Sequence, residues 1–147
     1  MSEAQPSRRI LRSIGAILAG MIVGIALSIG TDLAMHSIGV FPPQDPAASG
    51  PWLLATGYRT IYGILASYIA ARLAPDRPMQ HALLLGAIDF LVSVLGVIYS
   101  WNQGPEFGPH WYPITLVVLA LPAAWLGGKL CVTQLSSREA PASSEAP

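Results

Sequence analysis

From Ser13 to Thr31 the chain runs nineteen residues without an Asp, Glu, Lys or Arg. Wound as an α-helix rising 1.5 Å per residue, that stretch and its apolar flanks reach across the roughly 30 Å hydrocarbon core of a bilayer. A segment of this kind constrains everything after it, because backbone polar groups in lipid must be satisfied internally and a helix does so within one segment. The length recurs. Spans are predicted at about 13–35, 52–73, 81–100 and 111–132, the second and third interrupted by one charge each, Arg59 and Asp89.

Composition points the same way. Only 11% of the 147 residues are charged and 52% are hydrophobic, whereas a soluble domain carries about 25% charged residues. Eight Lys plus Arg balance eight Asp plus Glu, which leaves no basic face for the phosphates of a nucleic acid. Cys131 is the single cysteine, so no intrachain disulfide, CxxC pair or multi-cysteine zinc site can form.

Helix breakers separate the spans. Phe41-Pro42-Pro43-Gln44-Asp45-Pro46, Ala74-Pro75-Asp76-Arg77-Pro78 and Asn102 to Pro109 form three short loops, and short connections make successive helices antiparallel neighbours. The expected fold is all-α, a four-transmembrane-helix antiparallel bundle occupying 11–133. Residues 1–10 and 134–147 are expected to be disordered, the latter being Ser, Ala, Pro and Glu with few large apolar side chains.

Orientation follows from Lys and Arg, which favour cytoplasmic loops. Arg8, Arg9, Arg12, Arg72, Arg77, Lys129 and Arg138, seven of the eight basic residues, fall on one side of the predicted topology. Both termini are therefore expected to be cytoplasmic. Trp52, Tyr58, Tyr99, Trp101, Trp111 and Tyr112 would mark the opposite interface. A cleavable signal peptide also starts with basic residues, but this apolar run exceeds the usual 7 to 15 residues, and Asp32 and His36 occupy the cleavage region. A retained anchor is expected.

The spans carry small-residue stripes. Ala16, Gly20, Gly24, Ser28, Asp32 and His36 recur every fourth residue, as do Arg59, Gly63, Ser67 and Ala71. Small side chains at this spacing let helix backbones approach closely in lipid, either within one bundle or between two copies. If spans one and two are antiparallel neighbours, Asp32 and Arg59 meet at one end of the seam and should form a charge-assisted pair. Span three carries Gly86, Asp89, Ser93, Gly96 and Ser100 at alternating steps of three and four, a left-handed bundle seam with Asp89 near mid-membrane. An intramembrane acid is a functional candidate by default, here as a proton carrier. The plainer reading is a neutral carboxyl hydrogen-bonded to Tyr62, Tyr68, Ser67 or a backbone carbonyl. In span four, Pro122 should kink the helix.

Polar residues gather toward the side opposite the termini: Asp32, His36, Arg59, Asn102, Glu106 and His110. Asp32 and His36, one turn apart, have a spacing that suits two ligands of one metal, yet no HExxH or comparable signature is present. GxSxG, Walker and GxGxxG motifs are also lacking, so neither an enzyme nor a cofactor is expected. The ligand or ion-pair candidates are therefore Asp32, His36, Arg59, Asp89, Asn102, Glu106 and His110.

Gly30-Thr31-Asp32 with His36, Gly39-Val40-Phe41-Pro42, Ala71-Arg72-Leu73-Ala74-Pro75, Trp101-Asn102 with Gly104-Pro105, Trp111-Tyr112-Pro113 and Leu121-Pro122 with Gly127-Gly128 resemble a group of small, uncharacterised bacterial inner-membrane proteins over about residues 10–130. The resemblance implies four spans and a bacterial inner membrane, and it brings no activity. The expected role is a structural or accessory membrane subunit, with the lipid bilayer, a homodimer or a larger membrane complex as its partners. The alternative is a small proton-coupled transporter or ligand-binding membrane protein using Asp89 and the Asp32, His36, Arg59 cluster.

Overall fold

The computed structural model describes residues 4–45 and 48–139, with side chains described for 7–45 and 48–138. Four helices follow one another: α1 (Ala4–Ser37), α2 (Ser49–Leu73), α3 (Pro78–Ser100) and α4 (Trp111–Glu139), with a short 3-10 turn at Pro105–Phe107 before α4. The disorder expected of residues 1–3 and 140–147 lies outside the described residues.

Two helix ends extend beyond the expected bounds. Residues 4–10 and 134–139 are helical rather than disordered. Once a helix is nucleated each added residue gains a hydrogen bond, and from Ser7 to Ser13 or from Thr133 to Glu139 no Gly or Pro interrupts it. At its other end α1 is stopped by Gly39, whose φ of +77° is the left-handed conformation glycine adopts without steric cost. The amide of Val40 then closes back onto the Met35 carbonyl at 2.9 Å. The α4 helix continues through Pro122 as a single element.

Three helices are long and apolar enough to cross a membrane, namely α1, α3 and α4. The second predicted span, α2, does not reach that apolarity, and its place in the bundle explains why. It buries eight of its 25 residues, against three of 23 in α3, and so meets the surroundings over less of its surface. It can therefore carry Thr56, Arg59, Thr60 and Ser67.

The interior consists of small side chains. Nine of the fourteen buried hydrophobic residues are alanines, while Ile14, Ile22, Leu33, Leu91, Leu95 and many other large aliphatic side chains face outward. This inverts the usual pattern of a water-soluble protein and is what close helix packing in lipid requires. Gly20 lies against the Ala66 carbonyl and Ala70, and Gly24 against Ala66, so the GxxxG stripe of α1 is spent on α2 inside one chain. Gly127 fits against the α2 backbone at Ile64 and Tyr68, and Gly86 against Ala124 of α4. Phe41, Trp52, Ala55 and Tyr58 form an aromatic cluster at the Asp32 end.

Candidate functional site

The α2 and α4 helices pack along their length, with α1 laid on α2 and α3 on α4, whereas α1 and α3 touch over a short stretch. Their contact lies where Gly20 approaches Leu85. Beyond that point the two helices bound a cavity of about 560 Å³, with α2 and α4 as its back wall. It runs along α3 from Leu85 to Ser100, roughly 22 Å at 1.5 Å per residue. Its volume lies within the roughly 300–1,000 Å³ range of small-molecule sites.

Three charged residues line this one space: Asp32 from α1, Arg59 from α2 and Asp89 from α3. The Asp32–Arg59 ion pair is formed, with Arg59 Nη2 donating to Asp32 Oδ2 at 2.5 Å. Tyr58 donates its hydroxyl to the other carboxylate oxygen. Both oxygens of Asp32 are thus engaged by charge-assisted hydrogen bonds, the stronger kind in a partly desolvated site. The Tyr112 phenol interacts with the same guanidinium from α4, and the Thr31 and Tyr62 hydroxyls bond at 2.8 Å one turn further along the α1–α2 seam. Arg59 Nε is buried without a hydrogen-bond partner.

Asp89 differs. It occupies the middle of α3, eleven residues from either end, and its side chain is accessible on the cavity wall. No hydrogen bond or ion pair engages its carboxyl among the described residues, although it lies within electrostatic reach of Arg59. Two of the partners expected for it are committed elsewhere, Tyr62 to Thr31 and Tyr68 to Gln134 at 2.6 Å.

The remaining candidates disperse. His36 Nδ1 donates to the Asp32 carbonyl at 2.7 Å, and its ring stacks on Phe41. His110 Nε2 donates to the Trp101 carbonyl at 3.2 Å, with the two rings 4.6 Å apart. Asn102 and Glu106 are exposed in the third loop, where the Glu106 carboxylate turns back onto Gly104. Among the described residues no three His, Cys, Asp or Glu gather to hold a metal ion. Gly108, at φ +83°, lies flat against the Trp52 ring, where a Cβ would come within 2.8 Å of it. This contact docks the third loop onto the aromatic cluster.

Sequence reasoning missed the convergence of Asp89 with the Asp32–Arg59 pair, and also Tyr112. A signal was present: Ser28 and Asp32 on α1, and Asp89, Ser93 and Gly96 on α3, are small or polar stripes that face a common space. Comparison with protein-family models, curated proteins and solved structures finds no match to this chain. The fold and its outward-facing aliphatic side chains define a small multi-pass membrane protein.

Proposed function

We propose that this chain is a four-span membrane protein of non-enzymatic role that binds a small amphipathic ligand in the cavity between α1 and α3. The observation that carries the reading is the placement of Asp32, Arg59 and Asp89 on the wall of one cavity otherwise lined by residues such as Met21, Ile25, Leu85 and Leu116. A few polar groups set in an apolar concavity are the usual make-up of a small-molecule site. Proton-coupled transport is the extension of this reading in which Asp89 also carries a proton.

The accessory-subunit reading draws on the small-residue seams and on the lack of a catalytic motif in the sequence, neither of which is particular to a subunit, so the cavity is the more specific guide. A homodimer would have to use a face other than the Gly20–Gly24 stripe, which α2 already covers. The distribution of basic residues supports cytoplasmic termini.

Native mass spectrometry of the chain taken from its own membranes into nanodiscs tests the reading. A bound small molecule is expected at one per chain, lost in Gly96→Trp. Gly96 lines the cavity and has nothing within 4 Å of its Cβ position, so the indole would occupy the space without disturbing a helix contact. A stoichiometric second protein with no small molecule would overturn ligand binding in favour of the subunit reading.

A further inference from the structure

We infer that the occupant of this cavity is a lipophilic monovalent cation, which contacts the Asp89 carboxylate while its apolar body fills the space between α1 and α3. The inference rests on the ligand-binding reading above and names the class of ligand. Its basis is charge complementarity. The cavity wall carries two acids and one arginine, and the arginine is already matched, its Nη2 on Asp32. Its Nε is buried without a partner, and its charge is offset by the adjoining Asp32 carboxylate. Asp89 is the accessible and unmatched charge.

An ionised carboxylate at this depth is costly without a partner. A hydrophilic cation would lose its own hydration on entering, with little to replace it. A cation whose charge is spread over an apolar or aromatic body loses less and also fills the aliphatic wall. Tyr62 and Tyr112 line the same space. A neutral amphiphile would match only a protonated Asp89, whereas a cation matches the ionised carboxylate, and an anionic one would set like charges together.

The experiment uses the full chain in nanodiscs of zwitterionic phosphatidylcholine, with two hydrophobic ions of nearly the same shape and opposite charge, tetraphenylphosphonium and tetraphenylborate. Equilibrium dialysis against empty nanodiscs removes the contribution of lipid partitioning. Saturable binding of the phosphonium at one per chain is expected, with none of the borate. Asp89→Asn should weaken cation binding about tenfold or more, equivalent to about 1.4 kcal/mol, and Asp89→Glu should retain most of it.

Because Asp89 makes no hydrogen bond and its side chain is accessible, the asparagine variant is expected to fold; were it not to, the comparison of the two ions on the unaltered chain still decides. Saturable borate binding, or phosphonium binding indifferent to Asp89→Asn, would overturn the cation while leaving a ligand cavity in place. If neither ion binds above empty nanodiscs and native spectra carry no small molecule, the cavity reading falls as well.

Discussion

Asp32 holds two donors at once, the Tyr58 hydroxyl and Arg59 Nη2, and this determines what its loss should do. The pair is about one-third exposed, at 35% for Arg59 and 30% for Asp32, so it is neither a solvated surface bridge nor a fully buried one. Removing one partner strands the other, and a hydrogen bond to a charged group contributes about 1.5–3 kcal/mol. Asp32→Asn and Arg59→Gln should each destabilise the bundle by about that amount, and the double variant by less than their sum. A double-mutant cycle read by unfolding in mixed micelles checks this, and additive losses would show that the two side chains do not cooperate. The pair was legible in the sequence because residues near the joined ends of an antiparallel hairpin share a depth. The approach of Asp89 to that pair was not, since it depends on how far α3 leans from α1, a lateral distance that helical spacing along one segment does not encode. His36 and His110 looked like ligands by residue type, yet each satisfies a backbone carbonyl close to itself, a local outcome that competes with any longer-range site.

At the scale of the helix, the number of segments, their order and their small-residue seams could be read from charge-free stretches and breakers. Which seam meets which could not. The α1 stripe could have served a second copy, and the structure places it on α2 because Gly20 and Gly24 nest against Ala66. The weaker apolarity of α2, a defect when read alone, follows from its deeper burial among the other helices. Tight seams should be intolerant of even one methyl group. At Gly127 a Cβ would run into the α2 backbone at the Ile64 carbonyl and come within 2.8 Å of the Tyr68 amide nitrogen. Backbone cannot rotate aside as a side chain does, so Gly127→Ala should cost about 1–3 kcal/mol, the usual penalty of overpacking. Gly57, with nothing within 4 Å, is the matched control. There alanine should be neutral or stabilising by up to about 1 kcal/mol through helix propensity. Equal effects at the two positions in a detergent unfolding titration would argue that the α2–α4 seam is looser than described.

For the molecule as a whole, an interior of alanine and glycine beneath an aliphatic exterior accounts for a bundle made to sit in lipid, and the proposal of cytoplasmic termini can be tested directly. An alkaline phosphatase fusion placed after Gln44 should be active and one placed after Arg138 inactive, and the reverse pattern would invert the orientation. The central claim is narrower: α1 and α3 part to leave a largely apolar cavity that carries Asp32, Arg59 and Asp89 at membrane depth. Cysteine reactivity with N-ethylmaleimide in liposomes tests it most directly, because the reacting thiolate forms only where water reaches. Ser93 lines the cavity, while Leu91 and Leu95 on the same helix, two residues to either side, are 61% and 64% exposed outside it. In a Cys131→Ala background, Ser93→Cys should react while Leu91→Cys and Leu95→Cys, facing hydrocarbon, stay unmodified over the same time. A Ser93→Cys thiol as inert as its two neighbours, in liposomes stripped of bound small molecules, would mean that the space between α1 and α3 is closed, and would contradict the account.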